Sequence, residues 1–207
     1  MGGDYYDYID LPGGRLAVVV ADVSGKGLPA ALLMPAVKIA LRTLAERQAS
    51  TRELLGELNR VFLDNLPPAS YFTLVYAVFD AAAGRLVYAN AGHLPALHRK
   101  ARGGEEAWLT SEGPAVGLLH EDVQFEATEV RFEPGDVFVF YTDGITEAED
   151  PGGADFGRER LASTVRGCAG QPAEAVVAAL HGAVDAFRGP APRGDDATVI
   201  VVRVPPA

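Results

Sequence analysis

The chain has 207 residues, 48% apolar and 22% charged, with a net charge of -10, enough for a sizeable core in a single catalytic domain spanning 1–207. The acidic balance excludes a nucleic-acid binder that grips the phosphate backbone, which needs a basic face. No apolar run reaches the ~18 residues of a membrane span and no secretory signal opens the chain, so a cytoplasmic protein with no membrane contact is expected.

Cys168 is the only cysteine, which rules out an internal disulfide and suits a reducing compartment. Glu174 stands where a Cys-x5-Arg phosphatase loop requires arginine, so thiolate catalysis is also excluded.

In chain order, Gly2-Gly3-Asp4-Tyr5-Tyr6-Asp7 leads into a turn at Pro12-Gly13-Gly14. That turn predicts a hairpin between Tyr6 to Leu11 and Leu16 to Ala21, bringing Asp4 near Asp22. The apolar run Ala17 to Ala21 delivers Asp22 into Val23-Ser24-Gly25-Lys26-Gly27. A phosphate-binding P-loop does not fit, because Val20 replaces its first glycine and Gly27 its Ser/Thr; Lys26 reads as a solvated loop cation.

Pro29 suits the first turn of a helix that carries Leu33, Val37, Leu41 and Leu44 on one face. Pro35 in its interior predicts a kink or a restart. Ser50 and Glu53 form a capping box for a second helix with Leu54, Leu58 and Val61 inward, stopped by Pro67-Pro68.

Tyr71 to Phe79 is apolar on both alternating faces and turns at Gly84 into Leu86 to Ala89. Short apolar runs from Ala96 to Phe132 predict further antiparallel sheet. Pro134-Gly135-Asp136 then turns into Val137 to Thr142, which ends on Asp143-Gly144. The acids of Glu147-Ala148-Glu149-Asp150-Pro151-Gly152-Gly153 read as an exposed loop. Helices are predicted over Arg158 to Val165 and Pro172 to Phe187. The proline- and glycine-rich stretch Gly189 to Gly194 returns the chain to Asp195-Asp196 and a last apolar run, Ala197 to Val204.

Carboxylates thus stand at the ends of several apolar runs. Gathered together they would repel and raise one another's pKa unless a hard divalent cation neutralised them; kept apart they are ordinary polar loop ends. The residues alone leave both readings open. His93 reads as structural, and His98, His120 and His181 have no zinc-ligand spacing.

Gly2 to Asp7, Asp22 to Met34, Asn90-Ala91-Gly92-His93, Tyr141 to Ala148 and Gly194 to Thr198 resemble, in order and spacing, the SpoIIE/RsbU-like branch of the PPM (PP2C-type) metal-dependent serine/threonine protein phosphatases. The resemblance implies an α+β fold, two packed antiparallel β-sheets flanked by helices in a four-layer α-β-β-α sandwich. It implies two Mn2+ or Mg2+ ions bridging a water that attacks the phosphorus of a phosphoserine or phosphothreonine. Carried over by position, Asp22 bridges both ions and is the key catalytic residue, the Val23 carbonyl and Asp4 serve one ion, and Asp143 and Asp195 the other. Asp7 and Asp196 have no settled role.

The resemblance further implies a phosphorylated STAS-domain anti-anti-sigma factor as substrate, and a chain excised from a longer protein whose upstream sensor or receiver domain acts on the helical pair Pro29 to Leu66, often in a homodimer. The competing expectation is a catalytically weak phosphatase-like module that binds a partner. A nucleotide cyclase is disfavoured by the lack of a triphosphate cradle.

Overall fold

The computed structural model describes residues 3–25, 28–47, 50–66, 70–119, 123–191 and 194–205. Within these, helices and antiparallel strands form two compact units. The first comprises residues up to His93 together with Thr110–Arg131, and the second Leu94–Leu109 and the chain from Phe132 onward.

The first unit is built on a five-stranded antiparallel sheet in the order β1-β2-β3-β4-β7. Its strands are β1 (Asp4–Leu11), β2 (Arg15–Val23), β3 (Phe72–Asp80), β4 (Arg85–Ala91) and β7 (Thr128–Arg131). Gly13 and Gly14 close the β1–β2 hairpin with φ of 82° and 72°, a left-handed conformation that costs glycine little and other residues much. The hairpin is the predicted one. Ala17, Val19, Ala21 and Val23 join a core with Val37, Leu41, Leu54, Leu55, Leu58 and Phe62 from two helices, α1 (Leu28–Ala45) and α2 (Thr51–Leu63). Val18 and Val20, on the other side of β2, are also fully buried, which explains why this antiparallel strand is apolar throughout rather than alternating.

Two expectations need refinement. Of the kink or restart expected at Pro35, the restart does not occur: α1 runs unbroken through it. Pro35 lies on the exposed side, where a carbonyl that has lost its helical donor can be hydrated, while Val37 and Leu41 anchor the helix from the buried side. In α2 the inward stripe is Leu54, Leu55, Leu58 and Phe62, and Val61 is 41% exposed. The stripe is thus rotated from the predicted one. Ser50 caps α2 as predicted, its hydroxyl accepting from the Glu53 amide at 3.3 Å. Gly2, Lys26, Gly27, Pro67, Pro68 and His120 lie outside the described residues.

The second unit carries a four-stranded antiparallel sheet, β6-β5-β8-β9, formed by β5 (Ala96–Arg99), β6 (Glu106–Leu109), β8 (Val137–Tyr141) and β9 (Val199–Arg203). Its core sets Leu97, Val139 and Tyr141 against Leu161, Val165, Val176, Leu180 and Val184 of α4 (Gly157–Gly167) and α5 (Ala173–Arg188). Asp136, expected as a turn residue, is that and more. It is 3% exposed, accepts from the amides of Ala101 and Glu133 at 2.8 and 3.1 Å, and lies 2.9 Å from Nε2 of the equally buried His98. The α+β class with two antiparallel sheets and flanking helices is as expected. No helix among the described residues is long and apolar enough to cross a membrane.

Candidate metal centre

In the first unit, the β1–β2 register puts Asp4 directly opposite Asp22 at the end of the ladder far from the hairpin turn. Directly opposed side chains on one sheet face have Cβ atoms about 5 Å apart, and like charges there repel. Thr73 sits opposite Asp22 on the other flank. Its hydroxyl lies 2.8 Å from Nδ1 of His93, and the Asn90 side chain fixes the His93 backbone through two hydrogen bonds of 2.9 and 2.7 Å. His93, 9% exposed, therefore supports the strand beside Asp22 through Thr73, in keeping with a structural role.

Gly3 leaves the space around this pair open. The Val23 amide donates to the Gly3 carbonyl at 3.2 Å, and a Cβ on Gly3 would lie 2.8 Å from the Val23 carbonyl oxygen and 3.0 Å from Asp22 Oδ1. Any side chain at Gly3 would thus crowd the same oxygens that the resemblance assigns to a cation. Asp7 points elsewhere. Arg42 of α1 grips it from Nε and Nη2 at 2.7 and 2.6 Å, and the Tyr5 hydroxyl donates to it at 2.7 Å. Burial alone would raise the Asp7 carboxyl, but Arg42, Tyr5 and the Tyr8 amide together hold it below its usual value. Burial and the neighbouring Asp7 carboxylate push the Tyr5 phenol upward. Asp7 is accordingly a latch from β1 to α1.

In the second unit, Thr142 follows β8 and is the N-cap residue of a one-turn helix, α3 (Asp143–Thr146). The Thr142 hydroxyl accepts from the Thr198 amide at 3.0 Å, and the Thr142 amide donates to the Thr198 carbonyl at 3.1 Å. These bonds bind the segment bearing Asp143 to the one bearing Asp195. The fit is close: a Cβ on Gly144 would lie 1.8 Å from the Asp196 carbonyl oxygen. Asp195 and Asp196 are exposed.

Sequence reasoning passed over Glu147 as a loop acid. Its carboxyl is raised, first by burial and then by the charges of Asp143, Asp155 and Asp195, so it belongs to the same acidic neighbourhood. The four-residue spacing from Asp143, one helical turn, was the available signal. Within neither unit do three or more His, Cys, Asp or Glu side chains among the described residues come close enough to hold an ion by themselves. In the first unit Asp4 and Asp22 stand opposite each other; in the second, the charges of Asp143 and Asp195 both act on Glu147. Carboxylates and a backbone carbonyl are hard oxygen donors, and together with the space kept clear by Gly3 they suit Mg2+ or Mn2+ rather than a softer metal.

A family model described as Stage II sporulation protein E (SpoIIE) matches residues 12–205. The phosphoserine phosphatase RsbU of Bacillus subtilis (strain 168) is 31% identical over 153 residues, covering 74% of this chain and 45% of RsbU. Protein IcfG of Synechocystis sp. is 31% identical over 192 residues, 80% of this chain and 30% of IcfG. The chain thus spans less than half the length of these curated relatives. Among solved structures, the SiaA-PP2C domain of Pseudomonas aeruginosa superposes with a TM-score of 0.84 at 25% identity, over 98% of this chain and 80% of that one.

Proposed function

We propose, from the premise that the chain belongs to the SpoIIE family, that it is a metal-dependent serine/threonine protein phosphatase. The observation that supports this most strongly is the placement of Asp4 directly opposite Asp22. Two acids in register on one sheet face destabilise the strand pair unless a cation lies between them.

In this reading Asp22, with Asp4 and the Val23 carbonyl, would hold metal in the first unit, and Asp143 with Asp195 would do so in the second. The two bound Mn2+ or Mg2+ ions would supply a water acidic enough to act as nucleophile at neutral pH and offset the charge of the phosphoryl oxygens. The protein's own task is then positioning. The β1–β2 ladder holds Asp4 and Asp22 in register, Thr73 and His93 brace the adjoining strand, and the Thr142–Thr198 bonds hold Asp143 and Asp195 as a unit. Pre-set geometry of this kind lowers the barrier because little reorganisation remains at the moment of reaction.

The names of its relatives support a phosphoserine protein as substrate, and we take that protein to be a STAS-domain anti-anti-sigma factor met in the cytoplasm. The test is phosphate release from a phosphorylated STAS protein by chelated enzyme with Mn2+ or Mg2+ added back. Turnover should be restored by either ion, and full turnover in excess chelator would refute the reading.

A further inference from the structure

Asp22 stands between Ala21 and Val23, and Thr73 between Phe72 and Leu74. All four neighbours belong to the helix-side core, so Asp22 and Thr73 share the opposite face of the five-stranded sheet. The β2–β3 ladder pairs Asp22 with Thr73 and Val23 with Phe72, and it runs one step past the end of β3. The Ser24 amide donates to the Tyr71 carbonyl at 2.9 Å, and the Tyr71 amide donates to the Ser24 hydroxyl at 2.9 Å. Tyr71, two residues before Thr73, therefore returns to the face that carries Asp22. It is the diagonal neighbour of that acid, roughly 7–8 Å away and within reach of an aromatic side chain.

A turn around Gly117 flanks the same end of the sheet. Val116 exchanges backbone hydrogen bonds of 3.1 and 2.9 Å with Phe72, which puts it two strand spacings, about 10 Å, from Val23. The turn is held firmly. The Gly117 amide donates to Oδ1 of the buried Asn59 at 2.9 Å, and a Cβ on Gly117 would collide with Leu66 and lie 3.7 Å from the Ser70 carbonyl oxygen. Leu118 and Leu119 follow directly, beside the segment that bears Tyr71.

Tyr71, Leu118 and Leu119 are 37%, 48% and 47% exposed. Single apolar side chains on a surface are ordinary, but three bulky ones set beside a candidate metal centre on a fixed backbone form a contact surface. The Tyr71 hydroxyl makes no hydrogen bond to a described residue, and its ring stacks on none of them. A tyrosine anchored through its backbone offers a large contact area at little cost in conformational entropy.

We propose that Tyr71, Leu118 and Leu119 form the substrate-side rim of the metal centre and take a bulky apolar side chain next to the phosphoserine of a protein substrate. The proposal rests on the phosphatase reading for the nature of its ligand. The continuity of the rim with the face bearing Asp22 identifies the occupant, since a phosphoseryl group held at Asp22 brings its own flanking residues over Tyr71. These three residues would then set which phosphoproteins are accepted.

The test uses short peptides that carry a non-hydrolysable phosphonate in place of phosphoserine and have either leucine or serine on both sides of it. Their affinity for the chain in Mn2+ is read by fluorescence anisotropy, so the result does not depend on turnover. The leucine-flanked peptide is expected to bind about tenfold more tightly, as burying part of a leucine side chain would give. Tyr71→Ala and Leu118→Ser, both at exposed positions and each checked for folding by circular dichroism, should cut that preference to about threefold or less. With the matching phosphoserine peptides the preference should appear in KM rather than kcat. Selective binding with no phosphate released from any peptide would refute the phosphatase reading and leave the rim standing. Equal affinity for the two peptides, no binding of either, or an undiminished preference in both folded variants would overturn the proposal. A chain dimer that Tyr71→Ala dissociates, with both peptides bound alike, would overturn it in favour of a second copy on this surface.

Discussion

Replacing Gly144 by alanine sets two rules against each other. Alanine is normally favoured over glycine inside a helix by up to ~1 kcal/mol, and Gly144 lies in α3. Yet its new methyl would sit 1.8 Å from the Asp196 carbonyl oxygen and 2.8 Å from the carbonyl carbon. Both contacts are with backbone, so no rotamer change relieves them, and the two segments must part by well over 1 Å at a point braced by the Thr142–Thr198 bonds. Overpacking of this kind costs about 1–3 kcal/mol, occasionally more, and outweighs the propensity gain. For a chain of this length we expect the melting temperature to fall by roughly 2–12 °C. Gly182→Ala in α5 is the control: nothing lies within 4 Å of its added Cβ, so stability should rise by about 0.5–1 kcal/mol. Both are read by thermal and denaturant unfolding. A Gly144→Ala protein as stable as the wild type would refute the claim that these two segments are locked together.

Arg42→Ala should lower stability only modestly, because solvent screens the partly exposed pair. Because the folded Asp7 carboxyl is held low, the stabilisation is present above the unfolded value of ~3.9 and disappears as pH falls through the folded one. The wild type and Arg42→Ala should therefore differ at pH 7 and converge at strongly acid pH in denaturant titrations; an unchanged difference would contradict the latch. Asp136→Ala should be worse, at about 3 kcal/mol, since it strands the amides of Ala101 and Glu133 and the ring of His98 in the interior. Denaturant unfolding checks this, and a loss under 1 kcal/mol would count against it.

The hairpin and the Asp4–Asp22 pairing were legible because an unbroken apolar run, a Pro-Gly-Gly turn and a terminal acid are all local signals. Leu41 and Leu58 were legible from helical spacing, whereas Val61 was misassigned because periodicity fixes a stripe only to within about one residue of rotation. Pro35 does not restart the helix, because the cost of an interior proline depends on which side of the helix it faces, which only the packing decides. The Arg42–Asp7 latch joins residues 35 apart in sequence, and no local pattern announces such a contact. Glu147 was hidden by its Pro/Gly-rich neighbours, and the tight fits at Gly3 and Gly144 follow from the approach of distant backbone.

The most direct measurement is phosphate release from a phosphoserine protein as a function of Mn2+ concentration, for the wild type and for Asp22→Asn shown by circular dichroism to be folded. If Asp22 anchors the ions, the wild type saturates with Mn2+. The variant then stays roughly a thousandfold or more below it at every concentration, as expected from losing several kcal/mol of metal-derived transition-state stabilisation. A folded Asp22→Asn protein with near-wild-type turnover would contradict the account.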